Sequence, residues 1–261
     1  MLSIIITHYK TPTLLKLCLK SITENTKDIE HEVVVIDCEF DRAIQESLKD
    51  KFPDIKFISF KNNVGYAKLV NVGIKTVQGD YLLILNADIL VGKDSLSFLL
   101  KFIKDNPRVG MIGPQLLGFD NSVQESCFRY PNVGIVLARR TFLAKTSWGK
   151  KKLKSFLYKD KDLSSPQRVD WIQGSAMFCS KEAADKVGPM DERFFMYLED
   201  TDWCRRFWKN NYEVVYLPNS KMFHYHGRHS KKRSNFVSDV LFNKYGWIHI
   251  ISLLKFLWKW R

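Results

Sequence analysis

Tyr81-Leu82-Leu83-Ile84-Leu85-Asn86-Ala87-Asp88 is the stretch on which the fold turns. Its apolar run has no polar residue to alternate with, which suits a strand covered on both faces. The run ends in an amide and a carboxylate. In an open α/β sheet, ligands bind beyond the carboxyl ends of the strands, so Asn86 and Asp88 stand where a ligand is expected. A second acidic string, Glu199-Asp200-Thr201-Asp202, follows the apolar run Phe194-Phe195-Met196-Tyr197-Leu198. Carboxylates are costly in such surroundings unless they have a task. Together the two strings suggest metal-assisted transfer from a phosphate-activated donor.

Outward from these strings the first half of the chain alternates. Residues 2–7 read as a strand, and 13–23 as an amphipathic helix with Leu14, Leu15, Leu17, Cys18, Leu19 and Ile22 on its apolar side. Residues 32–36 form a strand ending at Asp37. A helix (43–51), a strand (55–60), a helix (66–77) closed by Gly79, the strand 81–85 and a helix (94–104) follow. This alternation predicts a parallel sheet with helices on its faces, and Thr7, Asp37, Asn86 and Asp88 then share one edge. From about residue 108 the alternation weakens. Residues 109–112, 175–179 and 214–217 read as strands and 201–209 as a helix. The long basic and aromatic stretch between the first two of those strands reads as an acceptor-side loop or lid. There is no internal repeat or low-complexity segment.

The 261 residues suit one large α/β domain or one domain with a small appendage. At 45% hydrophobic, the chain can bury a substantial core. Cys18, Cys38, Cys127, Cys179 and Cys204 are odd in number and lack paired spacing, so neither a disulfide framework nor a zinc site is indicated. A reduced, cytosolic compartment fits. Residues 1–7 read as a first strand rather than a secretory signal, and no stretch reaches the length of a membrane-spanning helix.

The net charge of +13 is concentrated. Residues 139–161 hold nine Lys/Arg and one Asp, and residues 228–261 hold eight and one, so these segments carry +15 and the remainder −2. No nucleic-acid-binding signature accompanies them. An anionic membrane surface or a lipid pyrophosphate matches better, with Arg228, Lys231, Lys232 and Arg233 as pyrophosphate-holding cations. The C-terminal run from Trp247 to Arg261 is apolar, aromatic and basic. It suits an amphipathic helix lying in a membrane interface; packing against the body or a second copy, as in a homodimer, is the alternative.

Each site residue has a bland reading beside the chemical one. Asn86-x-Asp88 offers an anionic ligand to a hard divalent cation whose other ligands come from phosphate and water, and is equally a turn or N-cap pair. Asp37 is placed to accept from a nucleobase or ribose, or is a turn residue. Asn62-Asn63-Val64-Gly65-Tyr66 lets backbone approach a nucleotide closely, or is a turn before an N-cap. Glu199, Asp200 and Asp202 suit a helix N-terminus, and neighbouring carboxylates in apolar surroundings also raise each other's pKa, as a general base requires. His224, His226 and His229 are ligands for a metal or an anion, or ordinary surface or core histidines.

Read in order, seven strings resemble family 2 glycosyltransferases of GT-A fold, closest to the bacterial rhamnosyltransferase-like branch. They are Ser3 to Tyr9, Val33 to Asp37, Asn63 to Ala67 with Asn71, Leu85 to Asp88, Asp170 to Ser175, Phe194 to Asp202 with Cys204-Arg205-Arg206, and His224 to Ser230. The resemblance implies a Rossmann-like, mostly parallel sheet in residues 1–230, with 1–107 as the nucleotide-sugar-binding half, 108–230 as the acceptor-binding half and 231–261 as the amphipathic tail. It places Thr7, Tyr9, Asp37, Asn63, Gly65 and Asn86 around the nucleotide. Asp88, with His224, holds Mg²⁺ or Mn²⁺. Asp200 is the general base, chosen over Asp202 and Glu199. Trp171, Gly174, Glu199, Asp202, Arg205 and Arg228 fall on the acceptor side. Two departures stand out: the metal motif has Asn86 where the family often has Asp, and Cys38 replaces the Asn often found after the base-binding Asp.

The expected function is an inverting glycosyltransferase, using dTDP-rhamnose or another dTDP- or UDP-sugar. The expected acceptor is a glycan on polyprenyl pyrophosphate, at the cytoplasmic face of the membrane as a peripheral protein. A UDP-hexose transferase of the same fold, and a non-catalytic glycan- or membrane-binding module, are the competing readings.

Overall fold

Strand β1 (Leu2–Tyr9) is buried from Leu2 through His8, as a strand with helices on both faces must be. In the computed structural model, which describes residues 1–38, 41–140, 142–225 and 244–261, β1 pairs in parallel with β2 (His31–Cys38) and β4 (Tyr81–Asn86). β3 (Lys56–Phe60) lies parallel beyond β2. On the other side of β4 come β10 (Ala176–Ser180), β6 (Val109–Leu117), β11 (Glu213–His224) and β5 (Ile89–Val91), with β8 (Gln167–Arg168) also against β11. β10 is antiparallel to both its neighbours, so β6 and β11 run in the same direction as β1. β5 and β8 are antiparallel to β11. The sheet is thus mostly parallel with antiparallel insertions. A two-stranded ribbon, β7 (Cys127–Phe128) with β9 (Trp171–Ile172), stands apart.

Alternate residues of each strand feed two apolar layers. Ile4, Ile6, Leu83 and Leu85 pack with α1 (Pro12–Asn25), α2 (Arg42–Lys51) and α4 (Ser95–Asp105). Ile5, Val34, Ile36 and Ile84 pack with α3 (Tyr66–Thr76), α7 (Lys181–Val187) and α8 (Glu199–Lys209). α1 opens with Pro12, whose missing N–H a helix start does not need. Asp41 caps α2 through the N–H groups of Ala43 and Ile44.

The stretch expected as a lid loop is instead partly helical. β6 runs on to Leu117, and α5 (Val133–Arg140), a 3-10 turn (Phe142–Lys145) and α6 (Ser147–Phe156) follow. α6 buries only Gly149 and Phe156 and packs against α5 and the 3-10 turn. Phe128 packs on Phe156 with ring centroids 5.4 Å apart, and Arg129 pairs with Asp160 at 2.9 Å.

The C-terminal helix α9 (Lys244–Lys259) docks Phe256, Leu253 and Leu257 against Phe194 and Leu198. Among the described residues no helix is long and apolar enough to cross a membrane. The expected Arg228, His226 and His229 sites and the 231–243 part of the tail lie outside the described residues.

Candidate active site

Register builds the strand-end edge. Thr7 stands opposite both Ile36 and Asn86, and His8 opposite Asp37. Thr7 Oγ1 donates to Asn86 Oδ1 at 3.0 Å, and Ala87 N donates to Thr7 O at 3.0 Å. Asp37 does not line the cavity described below; it holds His8, which does. The Thr11 N–H donates to His8 Nε2 at 3.0 Å. The ring proton is therefore on Nδ1, which donates to Asp37 Oδ1 at 2.8 Å. Asn63 accepts from the Gly65 N–H at 3.0 Å. Gly65 has φ +87°, and a Cβ there would fall 2.6 Å from Phe195 O, so glycine lets the start of α3 meet the second acidic segment.

Asp88 follows β4 by two residues, and a strand over a hundred residues later brings its partner. β11 pairs with β5 so that His224 faces Ile89, and the Tyr225 N–H donates to Asp88 O at 2.9 Å. His224 Nε2 then lies 3.6 Å from Asp88 Oδ2. Gln124 sets that ring: its Nε2 donates to His224 O at 3.1 Å, so its Oε1 is the acceptor for His224 Nδ1 at 2.9 Å. A proton thus sits on Nδ1, and Nε2 is the ring nitrogen turned toward Asp88, the orientation that a metal-ligating histidine has. Asp88 Oδ1 is buried with no hydrogen-bond partner among the described residues. A carboxylate, an oriented imidazole and an orphaned oxygen fit a divalent cation whose remaining ligands come from substrate. Among the described residues no cluster of three or more His, Cys, Asp or Glu supplies a complete protein cage.

The second acidic string opens α8 after two residues in left-handed conformation, Tyr197 (φ 71°) and Leu198 (φ 68°). Its carboxyls diverge at once. Asp200 Oδ2 accepts from the Gly174 N–H at 2.8 Å and Oδ1 from the Thr201 N–H at 2.7 Å. Burial pushes Asp200 upward, and those donors oppose the shift. Glu199 is pushed well up by burial and then by the charge of Asp200, and its Oε2 has no partner among the described residues. A Cβ on Gly174 would lie 3.3 Å from the Asp200 carboxyl and from Tyr66; Tyr66 OH donates to Gly174 O.

Asp202, expected on the acceptor side, is fully buried behind the wall. It bonds Arg206 Nε at 3.0 Å, Lys259 Nζ at 2.9 Å and Trp260 Nε1 at 2.8 Å. Arg205, placed with it by sequence, stacks over Trp260 at 4.6 Å and Tyr130 at 5.0 Å. Neither lines the cavity, because successive helix positions point in different directions. Trp171 does line it, with Nε1 donating to Arg129 O at 2.9 Å.

One cavity of about 1150 Å³ joins these parts. Thr7, Tyr9, Asn63, Asn86 and Asp88 line it together with Trp171, Gly174, Glu199 and Asp200, and the Asn86 N–H donates to Ser175 O at 2.9 Å where the two groups meet. α5 and α9 contribute apolar wall through Ile135, Val136, Ile250 and Leu253. His8 and Gln124 were not singled out from sequence, and the α9 residues read as a membrane-interface tail, with packing against the body as the alternative. His8 lay within a quoted string, whereas Gln124 had no local signal.

A mostly parallel sheet with helices on both faces and a carboxylate just past a central strand is the architecture of GT-A glycosyltransferases, and two solved structures of that class superpose on it. GalNAc-T7, crystallised with UDP, GalNAc and Mn²⁺, matches at TM-score 0.64 and 16% identity over 86% of this chain and 43% of its own. The Pyrobaculum calidifontis mannosyltransferase PcManGT, with GDP-Man and Mn²⁺, matches at 0.59 and 17% over 88% and 59%. Residues 3–160 match the family model Glycosyl transferase family 2, and the chain belongs to that family.

Among its curated relatives is the N-acetylglucosaminyl-diphospho-decaprenol L-rhamnosyltransferase of Mycobacterium tuberculosis, 28% identical over 198 residues, 70% of this chain and 62% of the relative. The chain thus spans about three fifths of that relative's length. Rhamnosyltransferase WbbL of Escherichia coli is 25% identical over 84% of this chain and 81% of its own. The dTDP-rhamnosyl transferase RfbF of Shigella flexneri is 28% identical over 82% and 66%.

Proposed function

We propose that this chain is an inverting glycosyltransferase that moves a sugar from a nucleotide donor, L-rhamnose from dTDP-rhamnose, to a glycan on polyprenyl pyrophosphate. The acceptor places the protein at the cytoplasmic face of the membrane as a peripheral protein. The observation that carries the reading is one cavity lined by both Asp88 and Asp200. The sugar is inferred from the names of the rhamnosyltransferase relatives.

In this reading the strand ends of residues 1–107 hold the nucleotide and residues 108–230 hold the acceptor. Asp88 and His224 would hold Mg²⁺ or Mn²⁺, which when bound offsets charge on the diphosphate leaving group. Thr7 fixes the Asn86 amide beside it. Asp200 is the base. The acceptor hydroxyl oxygen forms the new bond to the anomeric carbon as the bond to the diphosphate oxygen breaks, the electron pair leaves with the diphosphate, and the proton passes to the Asp200 carboxylate. Gly174 and Thr201 N–H groups support the ionised form of that base. Glu199, pushed well up by burial and the Asp200 charge and with no such donor on Oε2, favours the protonated form, which would offer a hydrogen bond rather than a second negative charge.

The test is thermal stabilisation and slow donor hydrolysis across a panel of nucleotide sugars with Mg²⁺ or Mn²⁺, with EDTA as control. Stabilisation by dTDP-rhamnose only with metal is expected, and Asp88→Ala should weaken that metal-dependent donor binding. Preference for a UDP-hexose would replace the sugar. No response to any donor would overturn the transferase reading in favour of a binding module.

A further inference from the structure

We infer that the C-terminal helix α9 is a brace for the turn that carries Glu199 and Asp200, and that its outward face engages an anionic bilayer so that membrane contact sets the placement of those carboxylates. The role of the carboxylates rests on the transferase reading above; the brace and the surface rest on geometry.

The turn needs a brace. Tyr197 and Leu198 are consecutive left-handed residues, and neither is glycine. Such backbone persists only where its surroundings over-determine it. α9 supplies several of those surroundings. Ser252 Oγ donates to Met196 O at 2.8 Å, and the His249 ring stacks on Tyr197 at 4.8 Å. Phe256 packs on Phe194 and Leu198. At the far end of the segment Lys259 Nζ bridges Asp191 and Asp202 at 2.8 Å each, and Trp260 Nε1 reaches Asp202. Lys255 Nζ donates to Arg193 O at 2.6 Å. The helix therefore holds the segment before, at and after the turn.

Its other face is bare. Trp247, Ile251, Leu254 and Trp258 recur at helical spacing and are 48%, 48%, 61% and 64% exposed. An indole stands near each end of the stripe, where an interfacial helix carries its aromatic anchors. The same helix lines the cavity through His249, Ile250 and Leu253, alongside Ile135, Val136 and Arg139 of α5. Just past α5, Phe142 and Trp148 are exposed, and Lys150, Lys151, Lys152 and Lys154 follow on α6. An exposed indole on α9's stripe at each end, and Trp148 on the lysine-rich α6, match the apolar boundary and negative charge of an anionic leaflet. α5 and α9 both line the cavity into which a lipid-carried acceptor would have to reach.

The full chain is mixed with phosphatidylcholine vesicles with and without phosphatidylglycerol. Flotation, hydrogen exchange of the 194–202 amides and donor hydrolysis are read together. Wild type should float only with phosphatidylglycerol, with exchange across the turn slowed and hydrolysis kcat raised several-fold at unchanged donor KM. Trp247→Ser with Trp258→Ser should lose flotation and the kcat gain while keeping basal hydrolysis. Lys259→Met, or Ser252→Ala should that variant fail to fold, should still float but lose the exchange protection and the gain, and Lys259→Arg should restore both. Equal flotation of the double Trp variant, or protection and kcat gain undiminished in the Lys259 and Ser252 variants, overturns the inference. If no protein hydrolyses any donor, the transferase reading fails alone: membrane-slowed exchange in wild type and not in Lys259→Met still supports the brace, and unchanged exchange overturns it.

Discussion

The two acidic strings of this chain solve opposite problems. Asn86-Ala87-Asp88 is fixed by the sheet: Thr7, β5 and β11 hold its backbone and its amide, and one carboxylate oxygen is left over for a ligand. Glu199-Asp200-Thr201-Asp202 is fixed by elements outside the sheet, and its three carboxyls have three environments. Asp200 is met by N–H donors, Glu199 Oε2 by none among the described residues, and Asp202 by two cations and an indole. Chain proximity says nothing about shared role when the residues point in different directions from one helix turn.

The sharpest break of this comparison is Asp200→Asn. Loss of a positioned general base lowers rate by about 10²–10⁴-fold, so transfer should fall by that much while donor titration stays near wild type. Turnover like wild type would move the base elsewhere. Asp202→Ala comes next, acting on stability rather than chemistry. It removes one partner of a buried ion pair, a change costing about 3–5 kcal/mol and so lowering Tm by roughly 10 °C; scanning calorimetry reads this directly. Tm within a degree or two of wild type would show that Asp202 is not the anchor its bonds suggest.

Two smaller effects sharpen the contrast. Gln124→Leu frees the His224 ring, and loss of such an outer partner weakens metal affinity by about 10–100-fold; Mn²⁺ titration should show it with donor-free protein. Glu199→Gln tests the neutral carboxyl. A folded pKa raised above the unfolded value of about 4.3 leaves stability fully present below that pH and loses it as pH rises through the folded pKa. The amide cannot ionise, so the variant should be more stable than wild type on the alkaline side, and the two should converge in acid. Parallel Tm-versus-pH curves would count against a protonated Glu199.

The strand-end part of the cavity was largely legible because it is local. Continuous apolar strands, Pro12 at a helix start and Asp88 after β4 are each signalled within a few residues. The helices between β6 and β10 were not: α6 carries Lys150, Lys151, Lys152 and Lys154 and buries only Gly149 and Phe156, so its composition read as a basic loop. Asp202 was misplaced for a different reason: its partner Lys259 lies 57 positions away, and nothing in either neighbourhood announces the pair. Gln124, 100 positions from His224, is the same case.

The five cysteines carry a practical consequence. All are buried and none is in a disulfide, and burial pushes Cys127 and Cys179 up to about 12, so those two are inert thiols in the native state. Cys18 belongs to the layer under α1, whereas Cys38, Cys127, Cys179 and Cys204 belong to the layer under α3 and α8. The chain thus contains its own footprinting labels. Under mild denaturant, the order in which a maleimide marks these positions reports which side of the sheet peels first.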